Sequence, residues 1–360
     1  MKKFIIAFTL SASILPGCGS DFTPVAPDSG RRAHTAVVVS VSGSDKMYVF
    51  GGLSNGIFVN ELWEYGIASD VWTQKSPVLP GPGARTYSAA VADGPGNMYV
   101  LGGYDGTNRT TPVFYNDIWK YEPNAGEGTW AEVTPTNMPR LAGHSAVMDG
   151  AAIYIFGGYD GVGADYVDDL WHCDLVSGNC SIITPVTSGP LKRAFHSAAI
   201  VGSDIYIYGG YGLNTSSTIS NLDELWKYDI ALNSWTSIPL APAVPDGPTP
   251  AARSKHTAVI ATVDSIAQMI VFGGVGSTSN KIWLYDINAK TWTENADEII
   301  TAPASRASHS AVIDTINNKM YIYGGYTASG ATSSLNDLWA FLPVDTPPDI
   351  WTLLTSPPKQ

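Results

Sequence analysis

The sequence predicts an all-β fold, a six-bladed β-propeller with four antiparallel strands in each blade, and three observations lead to it. A glycine pair closes a short apolar run six times, at steps of 51, 55, 52, 64 and 51 residues. Each copy holds four short segments rich in Val, Ile, Tyr and Trp, bounded by Gly, Pro, Asn and Ser, which is typical of strands. No stretch after the N-terminal leader repeats its apolar residues at helical spacing. A period near 50 residues with four strands per copy indicates radial sheets around an axis.

The fourth copy shows the four segments in order. The first runs from Arg193 to Val201 and contains Arg, a short gap, His and small residues. The second alternates Ile and Tyr up to Gly209-Gly210, and the third is a polar pair followed by Leu-Trp-Lys-Tyr at 225–228. The fourth centres on Trp235. The glycine pairs fit strand ends, because glycine accepts positive φ and lets neighbouring backbones approach closely.

The double glycine, the Trp-x-Tyr segment and the second Trp together resemble the Kelch family over residues 31–354. The resemblance implies that the Arg-x-x-His segment is the innermost strand and that the second Trp lies on the outermost. The predicted blades cover about 31–78, 85–136, 140–187, 193–240, 253–296 and 306–355. Since the copies begin with an inner strand and end with an outer one, a strand borrowed from the opposite terminus is not expected.

Residues 1–18 predict a lipoprotein-type signal peptide: two lysines, an apolar stretch and then Gly17-Cys18. The segment resembles the bacterial lipobox, in which Cys18 becomes the lipidated first residue; Pro16 is unusual there, and ordinary cleavage near Gly19 is the alternative. Residues 19–30 are expected to be a tether, or to include an outer-strand remnant at 20–23, and residues 31–360 to form the propeller. Without an acidic residue after Cys18, resemblance to Gram-negative sorting favours the outer membrane.

The other two cysteines predict a disulfide. Cys173 and Cys180 are seven residues apart, the same offset as between Tyr228 and Trp235 in the next copy. A cysteine pair therefore takes the place of a Tyr/Trp contact, which is consistent with export. A metal site is the alternative, but no further Cys or His stands at ligand spacing. We predict no metal and no cofactor.

The composition of the chain limits the classes of partner that we expect. The formal net charge is -12 and charged residues are only 14% of the chain. Nucleic acid is therefore not an expected partner. A surface of Ser, Thr, Asn and Gly suits an extracytoplasmic protein and tolerates glycans. The membrane is expected as a partner through the lipid anchor alone.

The candidate site is the channel mouth, where the resemblance places the turn into each inner strand and the long turn after each glycine pair. Every copy has an arginine there, and five add a histidine; the second copy has Tyr87 and Ser88 instead, and the gap before His144 is one residue longer than elsewhere. Converging guanidiniums favour carboxylate, sulfate or phosphate ligands. The alternative is structural pairing with the acidic or amide pair before each third strand. The arginines are Arg31, Arg85, Arg140, Arg193, Arg253 and Arg306, and the histidines His34, His144, His196, His256 and His309.

The loops after the glycines break the repeat symmetry. Those of copies two and four are longest, and the former holds Arg109, Phe114 and Tyr115, which suit stacking on a sugar. The tyrosines directly after the glycines are expected to pack against the neighbouring blade. The Pro-rich connector at 239–250 is expected to project as a stiff lip. The candidate ligand-binding residues are Arg85, Arg140, Arg193, Arg253, Arg306, Arg109, Phe114 and Tyr115.

No catalytic signature emerges: the chain has no nucleophile elbow, no HExxH and no phosphate loop. The first functional hypothesis is an exported, lipid-anchored, non-catalytic module that binds an acidic glycan, an acidic peptide or another protein at the mouth. The second is a carbohydrate isomerase resembling the Kelch sialic-acid mutarotases. The third is an envelope scaffold protein that uses its sides or rim.

Overall fold

A computed structural model describes residues 30–41, 43–77, 80–123, 126–161, 163, 165–241, 248–263, 265–277, 280–295, 302–327, 334–343 and 350–354. Strands are the regular elements of these residues, and no helix occurs among them. Six antiparallel sheets each contain four strands whose chain order is also their spatial order; in the fourth sheet the short strand Arg193–Ala194 also pairs with the second strand, as a fifth member. The predicted all-β propeller fold is therefore confirmed.

We number the sheets as blades 1 to 6 and their strands from the axis outward. The inner strands are Thr35–Val41, Ala89–Ala92, Ser145–Asp149, Ser197–Val201, Thr257–Val263 and Ser310–Asp314. The second strands are Ser44–Phe50, Met98–Leu101, Ala152–Phe156, Asp204–Leu213, Ile266–Phe272 and Lys319–Tyr323. The third strands are Leu62–Gly66, Ile118–Glu122, Leu170–Asp174, Ile219–Asp229, Ile282–Asp286 and Leu338–Leu342. The outer strands are Val71–Lys75, Thr129–Glu132, Asn179–Ile183, Ser234–Ile238, Thr291–Glu294 and Ile350–Leu353.

Short additional strands lie on one face of the propeller, which we call the loop face. Lead-in strands precede four inner strands, and short strands follow the glycine pairs of four blades. The lead-in strands are Arg31–Arg32, Leu141–Ala142, Arg193–Ala194 and Arg306–Ala307. The strands after the glycines are Leu53–Ser54, Ile57–Phe58, Tyr104–Asp105, Val113–Phe114, Tyr159–Asp160, Asp165–Tyr166 and Tyr326–Thr327. The turns joining inner to second strands and third to outer strands lie on the opposite face.

The ring closes through packing of the first blade on the last. Each inner strand contacts the inner strands of both neighbours, and Thr35–Val41 contacts Ser310–Asp314. The buried apolar clusters straddle neighbouring blades, and one combines Met47 and Trp63 of blade 1 with Tyr321 of blade 6. Blade 1 comes wholly from residues 35–75 and blade 6 from 310–353. As the sequence indicates, closure needs no borrowed strand.

A cycle of six backbone hydrogen bonds surrounds the axis. One residue of each blade, two positions before the inner strand, has φ between 52° and 66°. Each of these residues donates its N–H to the carbonyl of the corresponding residue in the preceding blade, at 2.7–2.9 Å. The last link runs from Ala33 to Ser308, so the cycle is complete. We call this set the axial ring; its members are Ala33, Tyr87, Gly143, Phe195, Lys255 and Ser308.

The glycine pairs tie each blade to the next. The second glycine of every pair donates its N–H, at 2.8 Å, to the carbonyl of the residue that opens the next blade's lead-in segment. Gly157 and Gly158 have φ of 61° and 110°. A Cβ at these positions would lie 2.6 Å from the Arg193 carbonyl oxygen and 2.9 Å from the His144 Cβ. The interface therefore requires glycine at both.

Blade 3 carries the predicted disulfide. Cys173 and Cys180 are bonded and face each other across the third and outer strands. The corresponding pair in blade 4 is Tyr228 and Trp235, whose ring centroids are 5.0 Å apart. The disulfide thus replaces an aromatic contact, as the offset predicts.

Several predictions fall outside the described residues. These are the signal peptide, Cys18, the tether up to residue 29, and residues 242–247 of the Pro-rich connector. Within the described part of the chain, no helix has the length and apolarity to cross a membrane.

Candidate functional site

Five of the six repeated arginines are buried rather than displayed at the mouth. Their exposed fractions are 0–2%. In each, Nη1 donates to the carbonyl of the first glycine of its own blade's pair, at 2.9–3.2 Å. The guanidinium therefore satisfies a carbonyl that the glycine turn leaves without a strand partner. These arginines are Arg31, Arg85, Arg193, Arg253 and Arg306.

In four blades the arginine also binds a carboxylate, which in turn accepts a hydrogen bond from the third-strand tryptophan. In blade 2, Asp117 accepts from Arg85 Nη1 and Nη2 at 2.6 and 2.8 Å, and from Trp119 Nε1 at 2.8 Å. Blade 6 repeats the bidentate pair, with Asp337 at 2.6 and 2.7 Å. Glu61 and Glu224 use one oxygen each, 2.6 and 2.5 Å from the guanidinium. We call each set an Arg–carboxylate–Trp triad.

In each triad the positive charge of the guanidinium is balanced by the neighbouring carboxylate. Burial raises the pKa of Asp337, but hydrogen bonds from Arg306 and the charge of that guanidinium outweigh burial, so the net pKa is lowered. In blade 2 the Tyr115 ring covers the Arg85 guanidinium at 3.8 Å. The geometry thus favours the structural pairing for Arg31, Arg85, Arg193 and Arg306, and it does not support a role in ligand binding for them.

Blade 3 departs from this pattern because its arginine is shifted by one residue. Leu141, which is 2% exposed, occupies the buried position and packs in the apolar core. Arg140 is exposed, and its Nη1 donates to the Phe114 carbonyl at 2.8 Å. This explains the longer gap before His144. Without a buried guanidinium beside it, Asp169 has a raised pKa, because of burial and then of the charge of Asp168.

The histidines form a second repeated network. In four of the five, Nε2 lies 2.8–2.9 Å from the hydroxyl that begins the inner strand of the preceding blade. The pairs are His34–Ser310, His196–Ser145, His256–Ser197 and His309–Thr257. These imidazoles hold adjacent inner strands together, which is a structural role.

Blade 2 interrupts this network. Ser88 stands where other blades have histidine, and Ala89 stands where they have a hydroxyl. His144, which would bond that hydroxyl, has no hydrogen-bond partner for Nε2 among the described residues, and Ser88 Oγ has none either. Both flank an axial cavity of about 130 Å³ that is lined by the axial ring and the residue after each member. None of the six repeated arginines lines this cavity.

Three axial-ring side chains lie across the cavity. The rings of Tyr87 and Phe195 meet edge to face at 4.9 Å. Lys255 Nζ lies 5.0 Å from the Phe195 ring centroid and 5.7 Å from that of Tyr87. A lysine held over two aromatic rings therefore lines this cavity, at a position that no repeated motif marks in the sequence.

An aromatic ridge crosses the loop face from blade 1 to blade 4. Its successive ring centroids are 4.9–6.0 Å apart. Most of its rings are half-buried, and Tyr211 is 37% exposed. The tyrosines after the glycines contact a neighbouring blade, as expected: Tyr104, Tyr159 and Tyr211 contact the preceding blade and belong to this continuous surface, whereas Tyr326 lies against Arg32 of the following blade. The ridge comprises Phe58, Tyr104, Phe114, Tyr159, Tyr166 and Tyr211.

The surroundings of the ridge are apolar and cationic. Ile57, Val113 and Ile219 are 42–45% exposed. Arg109 and Arg140 are exposed on the same face. Phe114 belongs to the ridge, whereas Tyr115 covers a triad. Phe58 and Tyr166 were missed from sequence, although each is an aromatic residue in a loop that follows a glycine pair.

The described residues contain no group of three or more His, Cys, Asp or Glu placed to hold a metal ion. Their chemistry consists of internal ion pairs, neutral imidazoles and a partly exposed aromatic surface.

The closed ring of repeated sheets and the glycine-tied interfaces define a repeat-built β-propeller. The sequence matches the family described as the KLHDC2/KLHL20/DRC7 Kelch-repeats domain over residues 21–210, 115–294 and 241–357. The chain belongs to the Kelch-repeat family.

Similar proteins include Kelch domain-containing protein 3 of Bos taurus, 24% identical over 83% of this chain and 78% of that protein. Kelch domain-containing protein 10 of Rattus norvegicus is 30% identical over 73% of this chain and 64% of its own length. The leucine-zipper-like transcriptional regulator 1 homolog of Drosophila melanogaster is 25% identical over 82% of this chain, which spans 29% of that protein.

Proposed function

We propose that this protein is a non-catalytic binding module whose aromatic ridge captures an acidic polypeptide segment with apolar side chains. The observation that carries the proposal is the ridge itself, a row of six aromatic rings on a face that also exposes three aliphatic side chains. Interface cores are enriched in aromatic residues and arginine. Arg109 and Arg140 beside the ridge favour acidic residues in the partner.

The similarity to a transcriptional regulator homolog, whose name describes a regulatory role, supports a binding function over a catalytic one. The internal pairing of four arginines removes the main support for the mutarotase-like alternative, which needs guanidiniums free to hold a sugar carboxylate. An envelope scaffold remains a form of the same proposal, with the ridge as its contact surface.

Selection of random phage-displayed peptides on the full chain tests the ridge. We expect enrichment of peptides that combine acidic and apolar residues, and loss of their binding in Phe114→Ser combined with Arg140→Glu. Leu232→Ser, which changes a 68% exposed residue in a turn of the opposite face, is the matched control and should keep binding. Peptides that bind both variants equally would contradict the proposal. A glycan-array signal that depends on the ridge, without peptide enrichment, would replace the polypeptide by a sugar.

We also propose that the module is held at a bacterial envelope membrane, in the outer membrane, by lipid on Cys18. The support is the lysine pair, the apolar stretch and Gly17-Cys18, together with the disulfide, which suits an oxidising compartment. Expression in a Gram-negative host with a labelled fatty acid should label the protein, and Cys18→Ser should abolish labelling. An unlabelled protein of wild-type sequence would refute the anchor.

A further inference from the structure

Blade 5 breaks the triad pattern at one residue. The position two before the third-strand tryptophan is acidic in the other five blades: Glu61, Asp117, Asp169, Glu224 and Asp337. In blade 5 it is Lys281. The arginine and the tryptophan of the triad are nevertheless retained, as Arg253 and Trp283.

The retained arginine lacks the partner that its counterparts have. Arg253 is 2% exposed, and its Nε and Nη1 donate to the carbonyls of Ala251 and Gly273 at 3.0 and 3.1 Å. No carboxylate of the described residues hydrogen-bonds to its guanidinium, nor to the indole of Trp283. A guanidinium carries five N–H donors, and these two hydrogen bonds occupy only two of them.

The Lys281 ammonium group pairs with a residue of the outer strand rather than with the triad. Its Nζ lies 2.8 Å from Glu294 Oε2 on the outer strand, and its side chain is 42% exposed. Burial lowers the pKa of Arg253; the Tyr208 hydroxyl, and then the charge of Glu294, which also pairs with Lys281, offset this lowering only in part. A buried cation without a hydrogen-bonded counter-ion is costly, so a carboxylate that entered here would relieve this cost.

The segment that leads to this position is also the shortest of its kind in the sequence. Six residues separate the glycine pair from Lys281 in sequence, fewer than the interval before the corresponding acid in any other blade. The donors that hold an internal carboxylate elsewhere, a guanidinium and an indole N–H, are thus present here with an additional ammonium group at the rim.

We propose that this position of blade 5 binds a carboxylate supplied by a ligand, an acidic side chain of a polypeptide partner. The inference rests on the proposed function for the nature of the partner. The carboxylate bridges Arg253 and the Trp283 indole as Asp117 bridges Arg85 and Trp119, and Lys281 adds charge attraction from the solvent side.

The test uses N-acetyl-glutamate amide as the probe and the neutral N-acetyl-glutamine amide as its control. The indole N–H resonance of Trp283 in ¹⁵N-tryptophan-labelled full chain, assigned with Trp283→Phe, should shift saturably with the first compound and not with the second. An unresponsive resonance, or an equal response to both compounds, would overturn the proposal.

A second variant places a carboxylate of the protein itself at this position. Lys281→Glu combined with Glu294→Gln places an acid at the triad position without opposing Glu294, and should weaken probe binding by at least about tenfold. Glu294→Gln alone should retain binding, and undiminished binding in the double variant would overturn the proposal. Phe114→Ser, in the ridge, should leave the probe response intact. The two proposals therefore fail independently: loss of peptide capture concerns the ridge, and loss of the Trp283 response concerns blade 5.

Discussion

The free energy of unfolding is expected to fall steeply as the pH drops below about 6.5, because five buried imidazoles are neutral in the folded protein. These histidines are 5–7% exposed. Burial lowers the pKa of His309 to about 3 and that of His144 to about 4. For His34, His196 and His256, burial and then the charge of a neighbouring arginine lower the pKa well below its usual value.

The direction follows from proton uptake in the two states. In the unfolded chain each histidine binds a proton near its ordinary pKa, whereas in the folded protein it does so only at far lower pH. The stabilisation is therefore complete above about pH 6.5 and is lost towards the folded pKa, at about 1.4 kcal/mol per pH unit for each histidine. Five together give a slope of about 7 kcal/mol per pH unit. Carboxylates with a lowered pKa, such as Asp337, add their loss only at lower pH.

Urea denaturation followed by tryptophan fluorescence at a series of pH values measures this slope. His309→Gln should reduce it by one histidine's share, whereas Leu232→Ser, which changes an exposed turn residue without a titrating group, should leave it unchanged. A stability that stays level between about pH 6.5 and 4.5 would contradict neutral, buried imidazoles.

The propeller could be predicted from sequence because its determinants repeat. Glycine pairs and alternating strands recur in all six copies and paired tryptophans in five, and the Cys173–Cys180 offset of the remaining copy follows from the same register. A departure from the repeat is also visible in the sequence, because Lys281 stands at the position that is acidic in the other five copies.

The function of individual arginines was not predictable in the same way. A motif shows that Arg85 and Arg140 both precede a strand, but a one-residue shift decides which residue enters the core. Leu141 takes the buried position in blade 3, so Arg140 is left outside. Likewise, the ridge arises from contacts between blades, such as Phe114 with Tyr159, which no single repeat encodes.

Replacing a triad arginine is expected to destabilise the fold severely, while replacing the exposed arginine of the same motif is not. Arg85→Ala removes hydrogen bonds to two backbone carbonyls and to both oxygens of Asp117. It also leaves the Gly102 carbonyl and a partly buried carboxylate without their cation. We expect a loss of about 3–5 kcal/mol in the free energy of unfolding.

Arg140→Ala is the matched control, because it removes one exposed side chain with a single bond to the Phe114 carbonyl. Its cost should be within about 0.5 kcal/mol, while peptide capture at the ridge falls. Chemical denaturation of the two variants gives both free energies under the same conditions. If Arg85→Ala unfolds no more easily than Arg140→Ala, the triads do not hold the blades. The six arginines would then have to be reconsidered as a ligand-facing set, since repetition without structural cost implies another use.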